Sequence, residues 1–353
     1  MPRFQTDSTP QLPISSSALD KTLTNRLHWA IEQRLVEQEL LTPDGARLRL
    51  GVRKTVVGEE FFAENANTGE PLSLNRQQAR QTKSGLIIKL NELRKLRPAA
   101  PLLKPGRLPD LDFNRSGCKF GCVDPAAPAS ILNRAMLLRV KARACEFAIM
   151  PQLAPLETAH VLLVPCEGTE SSTFPHLDQL LDPGLINDIL DLARGLKEWI
   201  MVFNSMHAGA TVRHLHLQAL KFSEPLPVEC ASIVERSGWR LFDKFPARGL
   251  VFDQAKRSNL IQAALALQSR WVPFNLLAHA QKAFLFARNP EQEIIDIFPF
   301  TRFAAMEMAG LIYVSNQEAF DAATDDTITA ALRRTTLTPE QLLKVLPSDR
   351  SIH

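Results

Sequence analysis

The apolar positions of ALDKTLTNRLHWAIEQRLVEQELL, namely Leu23, Leu27, Ile31, Leu35 and Leu40, recur at near-helical spacing, and a PDGAR turn closes the segment. The pattern predicts a helix from about residue 18 that leads into a short mixed region. LRLGVRKTVVGEEFFAEN then alternates and is rich in β-branched and aromatic residues, which predicts a strand or hairpin over 48–64. EFAIMPQLAP and TAHVLLVP read as two short apolar strands separated by a Pro-containing turn. In DPGLINDILDLARGLKEWIMVFNS, Asp182 is placed to cap a helix and Pro183 to open it. Apolar residues at 185, 186, 189, 190, 192, 196, 199 and 200 predict an amphipathic helix that runs to Asn204 and Ser205.

A second series of elements follows the Pro-rich break at 225–227. GLVFD predicts a strand, 256–269 a helix, PFNLLAHAQKAFLFARNP a hairpin of two apolar strands, MAGLIYVS a strand and 328–346 a C-terminal helix. Strands and helices recur in both halves, so the expected architecture is α+β with two related lobes and no short-period repeat. The expected divisions are a disordered polar tail over 1–18, an N-terminal helix and mixed region over 19–110, one lobe over 111–224 and a second over 228–353.

Composition narrows the partners. Lys and Arg number 41 against 38 Asp and Glu, a formal net charge of +3, which gives no global reason to expect nucleic acid or a membrane. The one marked run, 80–107, carries eight Lys/Arg and the single acid Glu92, and reads as a solvated helix face followed by a Pro-rich connector. The sharper alternative is a positive rim for a phosphorylated substrate. Five cysteines, unevenly spaced, and an N-terminus without an apolar core predict a cytoplasmic protein, and no apolar run is long enough to span a bilayer. Cys118 and Cys122 have C-x3-C spacing, but no second Cys or His pair stands at matching spacing, so zinc is not expected there and no cofactor is required.

Candidate chemistry gathers in TVRHLHLQAL, residues 211–220. Residues two apart on a strand share a face, so His214, His216 and Gln218 project together while Leu215, Leu217 and Ala219 face a core. Upstream, FNSMHAGATV supplies Asn204, Ser205, a turn at Gly209 and Thr211, groups that can approach a phosphate closely. A neutral imidazole nitrogen can attack phosphorus and pass the group on, provided its other nitrogen is held by an acceptor. The backbone carbonyl of His214 is a natural acceptor, which makes His216 the nucleophile. The plainer alternatives are exposed strand residues without a task, or a metal-binding H-x-H pair.

FNSMHAGATVRHLHLQALKF resembles the active-site segment of the histidine triad superfamily, in its nucleotidyltransferase and phosphorylase branch, where H-x-H-x-Q replaces the H-x-H-x-H of the hydrolases. That branch includes galactose-1-phosphate uridylyltransferase, diadenosine tetraphosphate phosphorylase and the GDP-hexose phosphorylases. TAHVLLVP is similar to the superfamily's G-H-x-L strand, with Ala159 at the glycine position and His160 at the edge of the nucleotide site. ATVRHLHLQAL and FPARGLVFD…VPFNLLAHAQKAFLFARNP resemble segments of the GDP-hexose (GDP-L-galactose or GDP-D-glucose) phosphorylases over about residues 145–345. Arg213 stands where Asn is common, and FARNP where F-P-Q is usual.

The resemblance implies an antiparallel histidine-triad sheet with helices in two lobes, as in galactose-1-phosphate uridylyltransferase. It implies that His216 attacks the α-phosphate of a nucleotide sugar, with a GDP-hexose favoured, to give a nucleotidyl-histidine that inorganic phosphate then resolves. Asn204, Ser205, Gly209, Thr211, His160 and Arg213 would surround the nucleotide and its phosphate. Gln218 would bond a non-bridging oxygen, and His214 would orient the nucleophile. Lys221, His279 and Lys282 are candidates, with Arg213, for the acceptor phosphate. Expected partners are the nucleotide substrate and phosphate, with a homodimer allowed. Alternatives are a diadenosine tetraphosphate phosphorylase (ATP adenylyltransferase), a non-catalytic nucleotide-binding module and a zinc-binding structural protein. His207 either reaches a phosphate or faces solvent, His176 is structural, and Trp199, Phe203 and Trp271 are core aromatics rather than a base-stacking cage.

Overall fold

The computed structural model describes residues 16–32, 37–38, 48–55, 58–70, 78–96, 118, 120, 137–152, 155–157, 159–166 and 175–348. Most of the expected polar tail, the 98–110 connector and Cys122 lie outside them. Helix α1 (Ser16–Glu32) starts inside the segment expected to be disordered, because Leu19, Leu23 and Leu27, four residues apart, fall on one face and are buried. Strands β1 (Glu37–Gln38), β2 (Leu48–Thr55) and β3 (Gly58–Asn65) form a small antiparallel sheet in which β2 and β3 are the expected hairpin.

Residues 80–96 are not the helix face expected from their charge. They supply β4 (Gln78–Gln81), β5 (Ile87–Leu90) and a short 3-10 turn over Glu92–Leu96. Leu86, Ile88 and Leu90 alternate inward, a period of two that the basic residues between them obscured. Two of the cations are committed to the protein: Arg80 donates to the carbonyls of Phe320 and Ala323, and Lys89 pairs with Glu157.

The centre is a ten-stranded antiparallel sheet. Its strands are β6 (Leu138–Lys141), β7 (Glu146–Pro151), β8 (His160–Cys166), β9 (Trp199–Asn204), β10 (Leu217–Lys221), β11 (Ile233–Arg236), β12 (Trp239–Phe242), β13 (Leu250–Asp253), β14 (Phe274–His279) and β15 (Lys282–Ala287). They lie in the order β11-β12-β13-β15-β14-β9-β10-β8-β7-β6. The two expected lobes meet in this sheet through β9 and β14, where Asn204 pairs with Asn275 and Val202 with Leu277. Helices α2 (Pro183–Gly195) and α3 (Arg257–Ser269) cover one face, around a core that includes Trp199, Phe203, Leu217 and Leu276. On the other face lie β16 (Leu311–Val314), which pairs in parallel with β5, and helices α4 (Ala305–Met308), α5 (Gln317–Ala322) and α6 (Asp325–Thr335), around Val202, Leu220, Leu277 and Phe286.

Two helix expectations are corrected. The long helix that was to reach Asn204 stops at Gly195, and Trp199–Asn204 is strand, buried at all six positions. A run apolar on both sides suits a central strand, and helical periodicity alone does not separate it from a buried helix. The start is as expected, with Asp182 Oδ1 accepting the Leu185 N–H at 2.9 Å. The C-terminal helix is two, α6 and α7 (Pro339–Val345), because Thr338 caps a new start with Pro339 in its first turn. No helix among the described residues is long and apolar enough to cross a membrane.

Candidate active site

The strand carrying the H-x-H-x-Q motif is shorter than its alternation suggests. Strand β10 begins at Leu217, so His214 and His216 precede it. The side chain of Gln179 takes the place of ladder bonds here: its Oε1 accepts the His216 N–H, and its Nε2 donates to the carbonyls of Asn204 and His216. Asn204, at the end of β9, therefore stands beside His216.

His216 Nδ1 lies 2.8 Å from the carbonyl oxygen of His214. A carbonyl can only accept, so Nδ1 carries the proton and Nε2 of the neutral ring keeps its lone pair. Phe120 packs edge-on to the ring at 5.2 Å between centroids and fixes its plane. His214 thus contacts His216 through its backbone carbonyl.

The ring of His214 has a different setting from the one expected. It is fully buried among Cys118, Phe120 and His176, with Cys118 Sγ at 3.5 Å from Nδ1, so it does not line an open face with Gln218. Burial first, and then His176 and His216, push its pKa down to about 3, which keeps the ring neutral. Potential donor atoms of Cys118, His176 and His214 all lie within 4.8 Å of one another, and His214 Nε2 has no hydrogen-bond partner. A thiolate with two imidazoles is a donor set suited to zinc. The sequence pointed to Cys122 as the partner of Cys118, whereas folding brings two histidines to it.

Gln218 is locked from behind. The Leu156 N–H donates to His160 Nδ1 at 3.0 Å, so that nitrogen is unprotonated and His160 Nε2 carries the hydrogen. Nε2 donates to Gln218 Oε1 at 3.0 Å. With its oxygen taken, Gln218 is left with its Nε2–H2 group, which has no protein partner among the described residues. Asn204 is in the same state: its Oδ1 accepts from Asn275 Nδ2 at 2.7 Å and from the Ala305 N–H at 3.1 Å. Gln218 lies two residues along the chain from His216, and the β9–β10 register brings Asn204 next to it.

The loop after β9 is held by its own contacts. Ser205 Oγ accepts the Phe274 N–H at 2.8 Å and donates to the Met206 carbonyl. Gly209 has φ +101°, and a Cβ there would lie 2.7 Å from Ala304 Cβ, so the glycine is needed for its backbone and for a protein neighbour. Thr211 is half-buried. His207 is only partly exposed, and its Nδ1 meets Glu293 at 3.0 Å. Arg213 pairs with Asp178 at 3.0 Å and lines a cleft with His207, Met206, Gln268 and Trp271. Trp271 is 41 % exposed at the lip of that cleft, which corrects its placement in the core, while Trp199 and Phe203 are buried as expected.

Lys221, His279 and Lys282 are not brought to His216. In the register, His279 pairs with Ile200 and Lys221 with Trp199, four and five residues along β9 from Asn204 and so roughly 13 and 17 Å away. Each also has a partner there: Lys221 with Asp20 and Glu198, His279 with Glu229, and Lys282 with the Glu229 carbonyl. Phe120, Gln179, Asn275 and Arg288 were not among the expected site residues. Their spacing from the motif carries no signal, because they reach it only through the fold.

Residues 227–346 match the family model described as GDPGP1-like, C-terminal domain. The chain is 25% identical over 219 residues to GDP-L-galactose phosphorylase 1 of Arabidopsis thaliana, covering 55% of this chain and 47% of that protein. It is 25% identical over 239 residues to GDP-D-glucose phosphorylase 1 of Xenopus laevis, covering 60% of this chain and 56% of that protein. It thus spans about half the length of the curated relatives it matches. The solved structure of yeast Ap4A phosphorylase Apa2 in complex with AMP superposes with a TM-score of 0.57 at 11% identity, over 92% of this chain and 98% of that one. The fold is that of the yeast Ap4A phosphorylase. By sequence, the chain is similar to GDP-hexose phosphorylases over 55–60% of its length.

Proposed function

We propose that this protein is a nucleotide phosphorylase that cleaves a nucleoside diphosphate sugar, with a GDP-hexose as the favoured substrate, through a covalent intermediate on His216. The observation that carries this is the bond from His216 Nδ1 to the His214 carbonyl, which in the neutral ring leaves the lone pair on Nε2. In the first step Nε2 attacks the α-phosphorus, a P–N bond forms, and the bridging P–O bond breaks with its electron pair leaving on the hexose phosphate. In the second, an oxygen of inorganic phosphate attacks the same phosphorus and the P–N electron pair returns to Nε2. The Gln218 and Asn204 amides donate to the non-bridging oxygens as charge builds on them.

The phosphoryl step asks only for a lone pair on Nε2 and donors on the oxygens. A metal held by Cys118, His176 and His214 would supply rigidity from behind, by fixing the residue whose carbonyl orients His216. Cytoplasmic location and a homodimer fit this reading. A second reading, phosphorolysis of a dinucleoside tetraphosphate, is favoured by the fold likeness to the yeast Ap4A phosphorylase.

The test is incubation with a panel of NDP-sugars and dinucleoside tetraphosphates, with and without phosphate, followed by mass detection of the adduct. The substrate that yields a nucleotidyl-protein and releases nucleoside diphosphate with phosphate identifies the reaction. His216→Ala is expected to lose adduct and turnover together, and full turnover in that variant would overturn the mechanism.

A further inference from the structure

Arg288, just past β15, is only 1 % exposed. Its Nη1 donates to Asn275 Oδ1 at 3.0 Å and to the Phe303 carbonyl at 2.9 Å, and its Nε donates to the Thr335 carbonyl at 3.2 Å. Asn275, fully buried on β14, donates from Nδ2 to the Ala208 carbonyl at 2.6 Å and to Asn204 Oδ1 at 2.7 Å. Backbone groups decide which end of each amide is which. The Ala208 carbonyl can take only an N–H, so that end of Asn275 is nitrogen and its oxygen faces Arg288. The Ala305 N–H can only donate, so it fixes Asn204 Oδ1. The chain therefore has one direction, Arg288 to Asn275 to Asn204, and it ends on an NH2 group beside His216.

We infer that Arg288 and Asn275 are positioning residues for the phosphate site: they hold the Asn204 amide so that its nitrogen, never its oxygen, faces the anion next to His216. The inference rests on the nucleotidyltransfer proposed above. Were Asn204 to turn over, a carbonyl dipole would face a phosphate oxygen and repel it, so locking the rotamer removes a misdirected state in advance. Arginine suits the task because its rigid fork reaches three oxygens from separate segments at once, whereas a lysine presents a single point of donation.

The test is a double-mutant cycle with two readouts, the single-turnover rate of adduct formation and the binding of GMP and AMP. Arg288→Met, and Asn275→Ser as a variant that keeps the buried cation, are made in the wild-type and Asn204→Ala backgrounds. Each is expected to slow adduct formation by roughly 10-fold to 100-fold in the wild-type background, and to have little further effect once Asn204 is gone. Arg288→Lys should recover part of the rate.

A purely structural role predicts a lowered unfolding midpoint and the same fractional loss in both backgrounds, which would overturn the inference. Should the wild-type protein form no adduct while the losses in GMP or AMP affinity remain coupled to Asn204, the transfer reading falls and the positioning role stands. Binding of neither nucleotide would overturn both.

Discussion

Gln179 grips the peptide of His216 from both sides: its Oε1 accepts the His216 N–H at 2.9 Å, and its Nε2 donates to the His216 carbonyl at 3.0 Å. The same nitrogen reaches the Asn204 carbonyl at 2.9 Å, so one buried side chain sets the distance between His216 and Asn204. Gln179→Leu would leave a buried N–H and two carbonyls without a partner, at a cost on the order of 2 kcal/mol in stability. The unfolding midpoint in urea checks the cost. Adduct formation at saturating nucleotide is expected to fall roughly tenfold as the ring shifts.

His160 acts on Gln218 through one nitrogen while the other accepts from the Leu156 N–H. Glutamine and asparagine separate the two bonds. His160→Gln retains a donor at the distance of Nε2 and should keep the turnover rate to within a few-fold, whereas His160→Asn retains only the acceptor for Leu156 and should lose roughly tenfold or more. Measured in a Gln218→Ala background, His160→Asn should add no further loss. An additive loss, with a raised KM for nucleotide, would show that His160 touches the substrate instead.

At Gly209, φ of +101° and the 2.7 Å approach to Ala304 Cβ act together against any side chain. Gly209→Ala is expected to destabilise the protein by about 1–3 kcal/mol, read from equilibrium unfolding. Ala304→Gly should relieve the steric part in the double variant and leave the backbone part.

Acid should weaken the fold through two carboxylates and a buried histidine. Burial alone would raise the pKa of Asp20, but hydrogen bonds from Trp199 and Lys221, with the Lys221 charge and Thr24, hold it below its ordinary value. Glu229 is likewise opposed by burial and held low by His279, the Leu226 N–H and the nearby charges of His279 and Lys282. A carboxylate with a depressed folded pKa stabilises the protein above its unfolded pKa, and that stability is lost as pH falls towards the folded value. Urea midpoints should therefore begin to fall below about pH 6.5, as the unfolded state protonates His214 whose folded value is about 3, and fall more steeply below about pH 4 as the carboxylates titrate. Asp20→Asn should make that fall shallower, because α1 then loses its ionic tie to the sheet.

The chemistry was legible where it lay within a few residues of chain. The H-x-H-x-Q spacing located His216 and Gln218, and the His214 carbonyl was foreseeable as the group that fixes the tautomer, since it lies two residues away. The β2–β3 and β14–β15 hairpins and the start of α2 were legible for the same reason, because alternation, caps and prolines act over a turn or two of chain. The run from Trp199 to Asn204 was misread, because burial on both faces erases the period that distinguishes strand from helix.

The sequence by itself located the H-x-H-x-Q motif, the candidate nucleophile His216 and most of the local elements. Only the tertiary structure decided which groups serve that motif. Gln179, Phe120, Arg288 and Asn275 come to it from distant segments, whereas Lys221, His279 and Lys282, nearer in sequence or plausible by charge, fall at the far end of the strands. The physical reason is register: antiparallel pairing of β9 with β10 and β14 sets Asn204, His216 and Asn275 at one end of the sheet, and no local pattern encodes where strands so separated in the chain will meet.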